Sequence, residues 1–369
     1  MKVLFDHQIF LMQKYGGISK YFTELIRNFS TDNKVRPVAA VNYANNYYLS
    51  CLGGFPRRSF LDNINFRGKS IFLRFLNKRI NKRVISDKKY DIFHPTYYDP
   101  YFLDYIGDKP FVLTIYDMIY EVFPEDFPDS CAVSFKKRLL AEKSAKIIAI
   151  SENTKRDIIK FYGIDEKKID VVYLGGLGPS AMSGGHESTR SGIPERYVLF
   201  VGNRKGYKNF YNFAKAFSLM AGKDSSLCLV CAGGGGFGRH EKSLFKELSL
   251  ETRVFQVQAD DMTLRFLYKN ARVFVFPSLY EGFGIPILEA FASGCPVAVS
   301  NTSCFPEIAR DAAEYFDPLS VESIKNAIEG LSQNEDKRRK LTERGSDRAK
   351  EFSWKETAER TKRVYQSVI

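Results

Sequence analysis

The stretch Val273-Phe274-Val275-Phe276-Pro277-Ser278-Leu279-Tyr280-Glu281-Gly282-Phe283-Gly284-Ile285-Pro286-Ile287-Leu288-Glu289-Ala290-Phe291-Ala292 decides the fold. It passes from an unbroken apolar run, through two glycines, into an apolar segment of helical character. A continuous Val/Phe run reads as a strand covered on both faces. Pro286 suits a first helical turn, because it has no N–H to leave unpaired and its φ is already near helical. Gly282 and Gly284 let the backbone turn sharply and present bare amides. The product is a strand, a tight loop and a helix N-terminus, which together form a ready anion site. Glu281 and Glu289 flank it. Such a layout grips a phosphate through main-chain amides while the carboxylates hold sugar hydroxyls.

The same alternation extends in both directions. Strand-like runs fall at Lys2–Phe5, Val35–Val41, Asp91–His94, Phe111–Ile115, Lys146–Ile150 and Ile169–Tyr173, then at Tyr197–Val201, Leu227–Ala232, Val254–Val257, Val273–Phe276 and Val297–Ser300. Helix-length segments separate them, so two successive doubly wound α/β domains are expected. Between the two sets lies a Gly/Ser-rich run, 175–192, poor in apolar residues, that reads as a linker. The expected division is an N-terminal domain over 1–177, a linker over 178–194 and a C-terminal domain over 195–352. A cleft where strand C-termini face each other is the default ligand site.

At 369 residues, with 44% hydrophobic and 27% charged residues, the chain has the composition of a soluble globular protein. No apolar run approaches the ~20 residues that span a bilayer, and the N-terminus does not read as a secretory signal. Six scattered cysteines build no disulfide framework, so a cytoplasmic protein is expected. Cys228-Leu229-Val230-Cys231 has the look of a metal half-site, but its sulfurs would point to opposite faces of a strand and no second pair follows. Core packing is the better reading.

The formal charge of +12 is uneven: between Arg57 and Lys89 stand eleven lysines and arginines against two aspartates. Ile71, Phe72, Phe75, Leu76, Ile80 and Val84 recur there at near-helical spacing. Such a helix can lie on an anionic membrane surface or pack its apolar side on its own domain. Nucleic acid is not supported by any recognisable binding motif.

Gly202-Asn203-Arg204-Lys205-Gly206-Tyr207-Lys208-Asn209 follows directly on the strand Tyr197–Val201, which places Arg204 and Lys208 at a strand's C-terminal edge, suited to a diphosphate. Gly16 and Gly17 open another strand-loop-helix element. The run Gly233–Gly236 looks like a dinucleotide glycine loop, yet no acidic partner follows at the required distance; a tight turn is expected there, without NAD. His94, Tyr116 and Asp117 end strands in the first domain and are candidates for its cleft side, although a histidine satisfied by its neighbours is an equal reading of His94.

Taken in order, these pieces resemble the retaining glycosyltransferases of family 4, which have the GT-B fold of two Rossmann-like domains. Gly16-Gly17-Ile18 is similar to that family's N-terminal glycine loop, Phe200–Asn209 to its phosphate segment, and Glu281 to Glu289 to its E-x7-E signature. Gly294-Cys295-Pro296-Val297 resembles the turn that follows. Phe352-Ser353-Trp354 with the helix to Ile369 resembles the segment that returns to the N-terminal domain, here 353–369. The resemblance implies that Arg204, Lys208 and Glu281 form the catalytic set, the two cations binding the donor diphosphate and Glu281 holding donor-sugar hydroxyls. It places Gly16, Gly17, Asn203, Gly282, Phe283, Gly284, Leu288 and Glu289 around the donor, with Glu289 on the ribose. Many members carry histidine where this chain has Tyr116, so no histidine base is assigned. The implied reaction moves a sugar from a nucleotide-sugar, GDP-mannose by weak resemblance, to a polysaccharide precursor or lipid-linked acceptor. Retention would proceed by same-face attack, with no metal or other cofactor, for a cytoplasmic protein peripheral on the inner membrane face. An epimerase or phosphorylase on the same fold, and a non-enzymatic basic surface binder, are the alternative readings.

Overall fold

The computed structural model describes residues 1–44, 46–52, 68–176 and 192–369. Most of the Gly/Ser-rich linker expected at 178–194, and the first part of the basic segment 57–89, lie outside the described residues. The chain divides into two compact units, Met1–Gly175 with Trp354–Ile369, and Gly176–Ser353.

In unit 1, β1 (Lys2–Phe5), β2 (Arg36–Ala39) and β3 (Ile92–His94) form a sheet ordered β2-β1-β3, while β4 (Val112–Ile115), β5 (Lys146–Ala149) and β6 (Ile169–Val171) form one ordered β4-β5-β6. A parallel bridge between Phe93 and Phe111 joins them. The expected strand Val35–Val41 is shorter, and its Pro37 sits on the sheet edge, where a missing N–H costs no ladder bond. The helix Trp354–Gln366 belongs to this unit. It donates from Thr357 Oγ1 to the Tyr173 carbonyl (2.8 Å) and from Lys362 Nζ to Asp32 (2.7 Å). Gly175 is required beside it, since a Cβ there would stand 2.4 Å from the Trp354 nitrogen.

In unit 2, β7 (Tyr197–Val201), β8 (Cys228–Ala232), β9 (Val254–Val257), β10 (Val273–Phe276), β11 (Val297–Ser300) and β12 (Glu314–Phe316) make one parallel sheet. Its order is β12-β11-β10-β7-β8-β9. All four residues of β10 are buried, as an unbroken Val/Phe run requires of a central strand. β12 escapes a sequence reading because it is three residues on an edge, Glu-Tyr-Phe, too short to show a period. Cys231 is buried in the core with its thiol pushed up by burial, while Cys228 is half-buried and bonds the Ser226 carbonyl. The two sulfurs part as strand geometry dictates.

The helix Lys69–Ser86 divides the expected apolar stripe between the interior and solvent. Its buried stripe is Leu73, Asn77, Asn81 and Ile85, one residue per turn. Asn77 Nδ2 donates to the Tyr43 carbonyl (2.9 Å) and Asn81 Nδ2 to that of Ala40 (2.6 Å), so two polar residues face inward fully satisfied. Ile71 and Phe75 are instead 71% and 62% exposed. Leu76, Ile80 and Val84 are half-buried, so the expected stripe lies partly inward, and the hydrogen bonds of two asparagines help set which side faces the protein.

Candidate active site

The chain order of unit 2 sets its ligand crevice. From β7 the chain winds outward through β8 and β9, then crosses back to β10 on the other side of β7. The loops after β7 and β10 therefore diverge above adjacent strand ends, the switch point where open α/β sheets bind ligands. Those are the loops carrying Lys208 and Glu281.

Several bonds fix them to each other. The Leu279 N–H donates to the Tyr207 carbonyl (2.8 Å). Asn209, at φ +55° and buried, donates through Nδ2 to the carbonyls of Pro277 (3.1 Å) and Pro318 (2.7 Å). An asparagine accepts the left-handed conformation at little cost, and its side chain then bridges the two loops. Lys208 consequently reaches Glu281 Oε1 in a direct ion pair, both side chains being mostly buried. The ammonium lies 5.0 Å from the Tyr207 ring centroid and 5.6 Å from that of Phe276.

Glu281 is held from three directions. Ser278 Oγ donates to Oε1 (2.8 Å), the Glu281 N–H donates to Ser303 Oγ (3.2 Å), and Ser303 Oγ donates to the Glu281 carbonyl (2.7 Å). Ser303 comes from the loop after β11, and nothing in its local sequence marks it. This is a preorganised pair of opposite charges on rigid supports.

Arg204 stands differently, on the other side of β7. Its side chain is only 2% exposed and pairs through Nε with Glu241. Nη1 donates to the Gly233 carbonyl (2.8 Å) and Nη2 to that of Gly235 (2.9 Å). The guanidinium lies 4.9 Å from the centroid of Phe237. Gly233, Gly234 and Gly235 all have positive φ, and a Cβ on Gly234 would stand 2.7 Å from Arg204 Nη1. The glycine run is thus wrapped around a buried arginine, which holds the loop in shape. A planar fork can satisfy several carbonyls at once.

The remaining donor-side residues follow. Asn203 is exposed beside this loop, its Oδ1 accepting from the Lys205 N–H (3.4 Å). Gly284, at φ +94°, precedes the helix Ile285–Ala292, with Pro286 in its first turn. Gly282 is buried, Phe283 packs edge-on against Phe352 (5.8 Å), and Leu288 is fully inside. Phe283 and Leu288 therefore present no side chain to a ligand. Glu289 is buried on the second turn, and its charge, after burial, pushes the Tyr268 phenol well above its ordinary range.

In unit 1, Gly16 precedes the helix Gly17–Ser30 in extended backbone. The switch point between β1 and β3 is filled by the protein itself. Asp6, fully buried, accepts from the Thr96 N–H (2.9 Å), Thr96 Oγ1 (2.6 Å), Gln8 Nε2 (2.8 Å) and the Tyr101 hydroxyl (3.1 Å). His94 is also fully buried, with Nδ1 2.6 Å from the Tyr365 hydroxyl and Nε2 2.9 Å from Thr114 Oγ1. Burial pushes its pKa down to about 3, so it is a neutral core group. Tyr116 is likewise inside, its hydroxyl donating to the Thr96 carbonyl (3.4 Å). His94 thus takes the second of its two expected readings, a histidine satisfied by neighbours, here Tyr365 and Thr114, while the Tyr116 side chain is interior, against the expectation for it. Asp117 alone of the three is half-exposed, its Oδ1 accepting from the Ile119 N–H (3.1 Å). Beneath it the buried Lys137 donates to the Asp117 carbonyl (2.9 Å) and to Glu121 (2.8 Å).

Comparison with known proteins agrees with this architecture. Residues 15–175 match the family described as Glycosyltransferase Family 4, and residues 186–348 match Glycosyl transferases group 1. The O-antigen chain mannosyltransferase B of Escherichia coli is 29% identical over 311 residues, 79% of this chain and 78% of its own. The O-antigen chain mannosyltransferase RfbU of Salmonella typhimurium is 28% identical over 222 residues, 60% of each chain. Among solved structures, sucrose-phosphate synthase from Thermosynechococcus elongatus superposes with a TM-score of 0.74 at 18% identity, covering 99% of this chain and 98% of that one. Anabaena Alr3699/HepE in complex with UDP and glucose gives 0.72 at 16% identity, covering 100% of both. The fold is GT-B, two Rossmann-like α/β domains. The chain belongs to the group 1, family 4 glycosyltransferases, and is a transferase.

Proposed function

We propose that the protein is a retaining hexosyltransferase that moves mannose from GDP-mannose to a polysaccharide precursor or lipid-linked acceptor in cell-surface glycan biosynthesis. The observation that carries this reading is the Lys208–Glu281 pair at the switch point of unit 2. On donor binding, the diphosphate takes up the Lys208 ammonium and Glu281 turns its freed carboxylate to sugar hydroxyls, with Glu289 on the ribose. Negative charge grows on the diphosphate as the glycosidic bond breaks, so Lys208 stabilises the transition state more than the ground state. The acceptor hydroxyl attacks from the same face and passes its proton to the departing phosphate oxygen. No protein base is assigned, and Lys208 supplies the charge that a divalent cation would otherwise bring. The names of the two O-antigen relatives support mannose and a surface glycan, while the UDP-bound neighbour supports a nucleotide-sugar donor.

The test is a melting-temperature panel of nucleotides followed by transfer from GDP-mannose. A ligand that binds only the folded state raises stability by ~2.7 kcal/mol at a hundred times its dissociation constant. GDP is expected to raise the melting temperature and UDP not to. Stabilisation by UDP alone would overturn the guanosine donor, and none by either would overturn the nucleotide-sugar reading.

A further observation favours a membrane-borne acceptor. Ile71 and Phe75 stand exposed on the helix Lys69–Ser86 among Lys69, Arg74, Arg79 and Arg83. Apolar side chains beside arginines and lysines suit the headgroup layer of an anionic bilayer. Among the described residues no helix is long and apolar enough to cross one. Pelleting with phosphatidylglycerol vesicles is expected at low salt and is expected to weaken several-fold in Ile71→Asp/Phe75→Asp. Equal pelleting of the variant, or pelleting with neutral vesicles alike, would show the helix to be a solvated face.

A further inference from the structure

Unit 1 carries a group of tyrosines that neither its core nor the Lys208–Glu281 crevice uses. Tyr15, in the turn before the helix Gly17–Ser30, has its ring centroid 5.1 Å from that of Tyr47 and 6.4 Å from that of Tyr48. Tyr47 and Tyr48 lie 5.5 Å apart, nearly edge to face. Tyr15 is 54% and Tyr47 45% exposed. A contiguous set of half-exposed rings marks a binding surface more often than a single exposed side chain does.

The set is rigidly mounted. Asn46, buried, donates through Nδ2 to the Gln13 carbonyl (2.7 Å) and accepts at Oδ1 from the Leu49 N–H (2.9 Å). The Tyr47 N–H donates to the Lys14 carbonyl (2.9 Å). Gln13 Oε1 accepts from the Ser19 N–H (3.1 Å), and a Cβ on Gly16 would stand 2.3 Å from that oxygen. Two segments distant in sequence are thereby locked together, and the rings keep one mutual geometry. Lys14 Nζ lies 5.6 Å from the Tyr15 ring centroid and Lys20 Nζ 6.0 Å from that of Tyr48.

Such a surface has a definite chemical preference. A pyranose ring offers a flat C–H face with hydroxyls around its rim. Tyrosine offers a flat ring with a hydroxyl at its tip, and loses few rotatable bonds on binding. The neighbouring ammonium groups add donors for hydroxyl oxygens and a positive field for any acidic substituent. An aliphatic chain would leave both the phenols and the ammonium groups unused.

We propose that Tyr15, Tyr47 and Tyr48 form a platform on which a sugar ring of the acceptor glycan stacks, adjoining the Gly16–Gly17 turn. This rests on the reading of the acceptor as a glycan. The full-length protein is titrated with short mannose, glucose, galactose and N-acetylglucosamine oligosaccharides by ligand-observed NMR, beside Tyr15→Ala/Tyr47→Ala and Tyr15→Phe. The same preparations are melted with GDP and UDP. At least one oligosaccharide is expected to bind the wild type, to lose tenfold or more in affinity with the double variant, and to stay within threefold with Tyr15→Phe. The nucleotide-induced shift should be the same in all three proteins. No oligosaccharide binding by the wild type, or equal binding by the double variant, overturns the platform; an intact nucleotide shift then leaves the donor reading standing. Sugar binding lost in the variant without any nucleotide shift strikes the donor reading instead.

Discussion

Lys208→Met is expected to lower the turnover number for sugar transfer by about 10²–10³-fold, the loss seen when one preorganised charge or donor at a developing anion is removed. The reason lies in the placement of the ammonium. It is brought to the switch point by a turn whose neighbour, Asn209, is tied to the Pro277 carbonyl, and it is held ready against Glu281. Because charge on the diphosphate grows only as the bond breaks, most of the loss should fall on turnover and less on donor KM. Glu281→Gln should be milder in charge but should loosen the sugar, and the double variant should cost less than the two single losses together, since the residues contact each other. Steady-state kinetics with GDP-mannose checks this. A Lys208→Met protein within threefold of wild type would remove the residue from the chemistry.

Arg204→Ala should act on stability first. Truncation strips the partner from Glu241 and leaves the carbonyls of Gly233 and Gly235 without their donor inside the protein. Breaking a buried ion pair from one side costs about 3–5 kcal/mol, and the lower end applies because Glu241 retains some solvent. Arg204→Lys should recover little, because a point charge cannot serve Glu241 and separated carbonyls together. The measurement is the urea midpoint followed by far-UV circular dichroism, with transfer assayed at low temperature, where the variant stays folded. Its turnover should fall far less than that of Lys208→Met. An unshifted midpoint joined to a thousandfold loss of activity would return Arg204 to the diphosphate.

The contrast between these two cations shows how far the sequence could be read. Arg204 and Lys208 stand four residues apart in one loop after β7, and both look like phosphate ligands. The difference is in what each meets: β8's glycine loop and Glu241 on one side of β7, β10's loop and Glu281 on the other. Those partners lie 29 to 73 positions away, and no local pattern announces them. His94 and Tyr116 repeat the lesson. His94 ends a parallel strand and Tyr116 directly follows one, where polar residues often face ligand, yet neighbouring elements close over them and turn both into core groups.

What the sequence determined by itself is the set of local, periodic features. Unbroken Val/Ile/Phe runs alternating with helix-length segments dictate parallel strands buried on both faces, and eleven of the twelve described strands were legible for that reason. The loop from Pro277 to Gly284 was legible too, because proline fixes its own φ and glycine admits turns closed to other residues, wherever they stand. The tertiary structure alone decided which polar side chains reach solvent, which asparagines face inward on the helix Lys69–Ser86, and which carboxylate each of two neighbouring cations meets. Burial and hydrogen-bond satisfaction depend on residues far apart in the chain, and only packing brings those together.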